Sequence, residues 1–521
     1  MITNPAAAMR MLITYAICIP VAVIIGYLLA NPMDYGTLGF LGLAMAFVLS
    51  PIFIKWHYPI MVFSLSAPIV CFFLIGQPPL MQVMVFLSLA ISIVERATNS
   101  DRQFIRVSSM TWPLLFLLAV IFFTMKLTGG FGLHTLGGST GGGRKYIQCF
   151  ASIALYFALT SRVIPRKKLN LYLGLIFLPA LLGIISDLFP YLPSPLNYIN
   201  ILIPPSGGSA DEINNVHKFG AFAGAANAVI AFMLAKYGLR GVLLGGKLWR
   251  PCLFVLLFIV TLLGGFRNVL VSNLLIFTFL FFLEGLHRSP LLPVLGLAGV
   301  LGIALLIPFG HKLPISIQRS MCVLPGINWD SEAVLSAEGS SEWRLAIWRD
   351  TWPKVPHYLL LGKGYALTAE DYEMMGQGGG LVNGAAEKMD ASENSLAISM
   401  DYHSGPLSTL MPFGLWGGIA FIWIILSGQR VLVRNYKYGD PACKKVNTYL
   451  LAAFLANLIG FLFVFGNFSN GLGGFTELIG LSIAFNWGVC AGQSKPRVVV
   501  GFKSLTAPPP ATSKNAEMLK S

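Results

Sequence analysis

Four separated segments of this chain place a cation or an imidazole where an apolar run begins or turns. His403 stands in MDYHSGPLSTLMPFGLWGG, directly before one such run. An imidazole exchanges its proton near neutral pH and can take one from an attacking hydroxyl, although a lone histidine at a helix start is also a common cap. Arg267 stands in TLLGGFRNVLV. A guanidinium at mid-membrane costs about 2.5–3.5 kcal/mol, so Arg267 is expected at the outer turn of a hairpin, as a snorkelling anchor or as an anion site facing a cavity.

Arg344 lies in SSEWRLAIWRDTW, which reads as a short helix capped by Ser340 or Ser341, with Glu342 in its first turn and Pro353 as its stop. Arg344 and Trp348 are four apart and share a face, whereas Arg349 points elsewhere. Trp343, Trp348 and Trp352 suit a helix lying at headgroup level. His217 and Lys218, in NNVHKFGAFAGAAN, open another apolar run, where Lys218 is available to a phosphate and His217 stands beside it. The plain alternative for each group is an interfacial helix end or a solvated face.

Other patterns carry less. GGSTGGGRK at 137–145 superficially suggests a phosphate loop but lacks the Lys followed by Ser or Thr that such a loop needs. Glu370, Asp371 and Glu373 in AEDYE form an acidic cluster of the kind that can hold a divalent ion or simply be solvated. Of the seven cysteines all but Cys322 and Cys443 fall in apolar stretches, and neither a disulfide framework nor a zinc spacing is present.

The elements that must position these groups are membrane helices. The chain is 55% hydrophobic and 11% charged, a balance that belongs in lipid. Roughly fourteen runs approach the ~20 apolar residues a spanning helix needs, from 11–29 to 474–491. The first follows Arg10, lacks a small-x-small cleavage site and reads as a helix, not a removable signal. The pairs at 59–94 and 250–286 are tight enough to be hairpins or re-entrant pairs. The expected fold class is an all-α polytopic membrane protein with roughly 12–14 transmembrane helices and one large, partly helical loop on the outer side.

A net charge of +14 suggests nucleic acid in a soluble protein, but here the positive-inside rule absorbs it, and no nucleic-acid partner is expected. With the N-terminus inside, inner loops hold Arg96, Arg102 and Arg106, then Arg162, Arg166, Lys167 and Lys168. They go on to hold Lys236, Arg240, Lys247 and Arg250, then Arg430, Arg434, Lys437, Lys444 and Lys445. Short outer loops hold only Arg144, Lys145, Lys218 and Arg267. Both termini are therefore expected in the cytoplasm. The chain divides into a helix bundle at 1–309, a large outer loop capping the site at 310–404, further membrane helices at 405–491, and a basic, proline-containing tail at 492–521 that cannot bury a core. Lys218, Arg267, Arg344 and His403 then meet at one membrane face, a site for a lipid-linked phosphate or pyrophosphate and a hydroxyl acceptor.

At these residues the chain resembles the O-antigen ligase and O-antigen polymerase superfamily of bacterial membrane glycosyltransferases. The resemblance covers roughly 215–430. It rests on the Arg of GGFRNVL, on EWRLAIWRDTWPKVPHYLLLGKGYAL with its Arg, Trp and later Gly-x-Gly, and on a His shortly before FGLWGG. Lys218 stands where the family has an Arg, and Ser404 where an Asn often follows the His. The resemblance implies transfer of a glycan from an undecaprenyl-pyrophosphate carrier to a hydroxyl acceptor, a lipid A core or another glycan, at the periplasmic face of the inner membrane. It implies inversion, no cofactor and no metal, with Arg267, Arg344 and His403 as the essential residues; Lys218, Arg349 and His217 are the candidate substrate-binding residues beside them. A polymerase of the same family is the alternative, though the Arg-x10-Gly pattern often seen in family polymerases is absent. A transporter or lipid-glycan flippase would instead place ionisable groups near the midplane, and Asp187, Glu284 and Glu477 are all expected near helix ends. A non-catalytic scaffold is the remaining class.

Overall fold

The computed structural model describes residues 35–74, 76–99, 104–130, 142–204, 219–367, 400 and 402–490, with positions 15, 18, 19, 22, 23 and 26. Among these residues the chain is helical and contains no strand. Eight helical stretches are long and apolar enough to cross a membrane, and two shorter apolar helices accompany them. The protein is thus an all-α polytopic membrane protein. The expected first helix at 11–29 lies largely outside the described residues, as do the tail, His217, Lys218 and the acidic cluster at 370–373.

The elements used below are α1 (Tyr35–Ser64), α2 (Leu80–Thr98), α3 (Ser108–Thr128), α4 (Gly143–Thr160), α5 (Leu169–Phe177), α6 (Gly220–Leu243), α7 (Trp249–Leu262), α8 (Arg267–Leu283), α9 (Leu291–Phe309), α10 (Ile315–Met321), α11 (Ser331–Thr351), α12 (Gly405–Tyr438), α13 (Lys444–Ile459) and α14 (Phe468–Asn486). In lipid, helices gain little from hydrophobic burial against each other and associate where small residues let backbones approach. Gly480 of α14 does this: a Cβ there would sit 2.9 Å from Leu159 of α4, and these two helices lie along each other. Gly428 of α12 admits Ile479 of α14 in the same way.

Several elements differ from the apolar runs. The run at 59–76 is not a second span, because α1 continues through Pro51 and Pro59 to Ser64. The described residues between 65 and 79 are irregular, their backbone satisfied by bonds such as Val70 N–H to Leu202 O at 2.8 Å. The stretch after α5 tightens into 3₁₀ turns from Leu178 to Gly183 around Pro179. Here a proline lacks the N–H that an α-helix needs. The 250–286 pair does form a hairpin, α7 and α8.

The expected positions of the acidic residues need one correction. Asp187 and Glu284 do sit near helix ends and serve as caps. Asp187 accepts from Ala221 and Phe222 N–H at 2.9 Å each, opening α6. Glu284 accepts from Leu239 and Arg240 N–H at 2.8 and 2.6 Å, where Gly238, at φ +70°, breaks α6 and exposes a new set of unpaired donors. Glu477, by contrast, lies in the middle of α14, because that helix starts at Phe468, six residues earlier than its apolar run suggests. Asn467 makes the earlier start: its side-chain oxygen accepts from Asn470 N–H.

Candidate active site

The α7–α8 hairpin turns through Gly264, Gly265 and Phe266. A Cβ at Gly264 would meet Ala223 at 2.8 Å, and Gly265 holds φ +67°. Arg267 is the first residue of α8. A cation there opposes the helix macrodipole, so helix stability does not explain it. Its Nη2 instead reaches α11, donating to Ala337 O at 2.6 Å and to Ser341 Oγ at 2.9 Å.

The helix α11 is longer than SSEWRLAIWRDTW suggests. It starts at Ser331, with Asp330 as its cap accepting from Glu332 N–H at 2.9 Å, so Ser341 is an interior residue that receives Arg267 and not the N-cap. It ends at Thr351, before Pro353 as expected. Its inner face carries Ala333, Ala337 and Ile347, all buried, together with Ser341, Arg344 and Trp348. Arg349 is exposed and turned away from Arg344, as five residues of helix rotation require.

A third guanidinium, which the sequence reading did not single out, joins these two. Arg319 of the seven-residue α10 donates through Nε to Ser336 Oγ at 2.8 Å and through Nη1 to Gly265 O at 2.5 Å. It thereby ties α11 to the turn that presents Arg267. Burial, and then the charge of Arg267, lowers the Arg319 pKa from its ordinary value. Burial, and then Arg267 and Arg319, does the same to Arg344. The ion pairs among the described residues are made by Arg162, Arg166 and His57, so none of the three guanidiniums has a carboxylate partner there. The Nε of Arg344 is buried and has no hydrogen-bond partner among the described residues.

His403 is brought to the same place. Its ring centroid lies 4.5 Å from that of Phe465, and the Arg344 guanidinium carbon lies 5.8 Å from the same ring. The residue before it, Tyr402, accepts the indole N–H of Trp348 at 2.8 Å through its carbonyl. His403 itself holds φ +48°, a left-handed conformation that is uncommon outside glycine, although Asn, Asp and His adopt it more often than other residues. Such strain persists where surrounding contacts enforce it, and it gathers at functional sites. Here the α11 contact and the start of α12 at Gly405 flank the strained residue.

The Gly-x-Gly of LLLGKGYAL performs a packing role beside this cluster. Gly362 and Gly364, at φ +77° and +70°, let the chain press on α12 where Gly414 kinks it. Lys363 N–H donates to Met411 O at 2.7 Å and Gly364 N–H to Pro412 O at 3.0 Å. Tyr365 N–H donates to Tyr146 Oη at 2.8 Å, and Lys145 sits over the Tyr365 ring at 5.5 Å.

The structure therefore gathers Arg267, Arg344 and His403 at one end of the bundle, adds Arg319 and Phe465, and leaves Arg349 outside. Phe219, where the chain after Lys218 is first described, donates to Leu263 O at 3.2 Å, at the Arg267 turn. No group of three His, Cys, Asp or Glu able to hold a metal ion occurs among the described residues.

Three guanidiniums and an imidazole are thus gathered in a helical membrane protein. Residues 252–422 match the family model described as O-antigen ligase, which supports the resemblance to the O-antigen ligase superfamily. The matched segment contains Arg267, Arg319, Arg344 and His403. No curated protein and no solved structure matches the chain.

Proposed function

We propose that this protein is an O-antigen ligase-like glycosyltransferase that moves a glycan from an undecaprenyl-pyrophosphate carrier to a hydroxyl acceptor at the periplasmic face of the bacterial inner membrane. The observation that carries this reading is the set of three guanidiniums, none paired with a carboxylate among the described residues, converging on His403 through Arg344 and Phe465. Like charges held together with no carboxylate partner among the described residues favour a multiply charged anion, and a diphosphate is one.

In the proposed reaction Arg344 and Arg267 bind the diphosphate oxygens with charge-assisted bonds, and Arg319 holds the turn that aims Arg267. His403 takes the proton of the acceptor hydroxyl as its oxygen attacks the anomeric carbon. The bond from that carbon to the phosphate oxygen breaks, the diphosphate leaves with the electron pair, and attack from the opposite face inverts the anomeric centre. Charge that grows on the leaving oxygen is met by the preorganised guanidiniums, an effect that typically supplies ~10²–10³ in rate for a single donor. Membrane lipid, the carrier-linked glycan and a lipid A core or other glycan acceptor are the partners this requires. Both chain termini lie in the cytoplasm in this reading, consistent with the basic residues gathered in alternate loops.

Purified protein incubated with a carrier-linked oligosaccharide and candidate acceptors, with and without chelator, tests the proposal. Covalent transfer in both conditions supports it, and flux of the lipid across liposomes without any change of linkage would replace it with a transporter. Ligase and polymerase are separated by the glycans of a deletion strain. Loss of all surface attachment indicates the proposed ligase, whereas attachment of single units indicates the polymerase.

A further inference from the structure

Where α6 passes into α7, about 21 Å along the 14-residue α7 from the Gly264 turn at 1.5 Å per residue, a second set of cations gathers. Lys236 and Arg240 lie toward the end of α6, Lys247 in the connection and Arg250 in the first turn of α7. The carboxylate that reaches this end of α6, Glu284, is engaged by the Leu239 and Arg240 N–H groups. None of the four cations forms an ion pair among the described residues.

Arg250 is held in place. Its Nη1 donates to Gly241 O at 3.0 Å, and its guanidinium carbon lies 4.0 Å from the Tyr237 ring centroid and 5.6 Å from that of Trp249. The Lys236 ammonium lies 5.3 Å from the same Tyr237 ring. Gly245 leaves the room this needs, since a Cβ there would sit 2.9 Å from Arg250 Nη1. A cation in the first turn of a helix opposes the macrodipole, so helix stability does not account for Arg250, whereas an anion at that point gains from both.

The rim around these charges is apolar. Leu248 is 82% exposed, and Leu244 and Trp249 are each half exposed. Aliphatic groups and an indole beside cations match the level where headgroups meet acyl chains. A soluble anion would leave that rim bare, and phosphatidylethanolamine brings an ammonium that the four cations repel. A lipid of net negative charge meets both conditions. We infer that the α6–α7 connection binds the headgroup phosphate of an anionic glycerophospholipid, with Arg250 as the fixed donor and Lys236, Arg240 and Lys247 as the surrounding charge. This site lies at the opposite end of α7 from the arginine cluster, and binding there does not depend on glycan transfer.

Native mass spectrometry of the detergent-purified full chain tests it with phosphatidylglycerol and phosphatidylethanolamine of identical acyl chains. Wild-type protein should retain phosphatidylglycerol about tenfold better, the least expected for one hydrogen bond between charged groups. Arg250→Gln with Lys247→Gln should bring the two lipids within about twofold of each other. Arg430→Gln with Arg434→Gln, which removes as much charge from exposed positions of α12, should keep the preference. Equal retention by the wild type, or equal falls in the two double variants, would overturn the inference. So would binding of sn-glycerol 3-phosphate as tightly as phosphatidylglycerol, which would make the ligand a free phosphate. If loss of Arg250 unfolds the chain, Lys236→Gln with Lys247→Gln leaves its contacts in place and must show a fall of at least threefold. Glycan transfer is a separate readout, whose absence would sink the glycosyltransferase reading and leave the lipid preference untouched.

Discussion

The indole N–H of Trp348 donates to the carbonyl of Tyr402 at 2.8 Å, joining the helix that carries Arg344 to the residue that precedes His403. Trp348 and Arg344 are one helical turn apart, so this single bond sets the position of a cation and an imidazole together. Trp348→Phe keeps most of the aromatic packing and removes the donor. A loss of roughly 0.5–1.5 kcal/mol in stability is expected for one hydrogen bond. Turnover should fall by more than that loss implies while donor affinity changes little, because ground-state binding does not require His403. Thermal unfolding and steady-state kinetics on the same preparation check both parts.

The cluster of Arg267, Arg319 and Arg344 is self-repelling, as the lowered pKa values of Arg319 and Arg344 record in part. An anion bound only by the folded protein stabilises it, and one that relieves this repulsion stabilises it most. Inorganic pyrophosphate should therefore raise the melting temperature more than orthophosphate at equal concentration. Arg344→Gln should abolish most of the difference. Arg319→Lys should retain more of it than Arg319→Gln, since an ammonium keeps the charge and one donor for Gly265 O. Differential scanning fluorimetry across the four proteins reads this directly.

Gly362 sits at φ +77°, and a Cβ there would lie 2.2 Å from Pro412 O. Gly362→Ala should therefore destabilise the protein by about 1–3 kcal/mol from the backbone conformation alone, with the steric clash adding to it. Gly246, also at positive φ but with nothing within 4 Å of a Cβ, isolates the conformational part when changed to Ala. Thermal unfolding of both variants should show the larger loss at Gly362.

The membrane architecture was legible because each span writes itself as a run of apolar residues of fixed length, whatever its neighbours. Its interruptions were not. The break in α6 at Gly238 depends on Glu284, more than forty residues away, to satisfy the exposed N–H groups. The start of α11 was hidden because its first ten residues, SEAVLSAEGS, carry no strong apolar stripe, although Asp330 followed by Glu332 was a usable cap signal.

Within the site, Arg267, Arg344 and His403 stood out as ionisable groups at the ends of apolar or helical segments. Arg319 did not, because seven residues of helix are too few to show a period and its key bond goes to a carbonyl 54 residues earlier. A phenylalanine in an apolar run gives no sign of function, so Phe465 emerged only once the chain was folded around it.

The central claim is that His403 removes the acceptor proton while the arginines hold the donor. Its most direct measurement is His403→Ala in the purified transfer assay, with donor binding followed in parallel. Transfer should fall by about 10²–10⁴, the usual worth of a general base, with donor affinity within a factor of about two of wild type. Transfer at the wild-type rate would contradict the account.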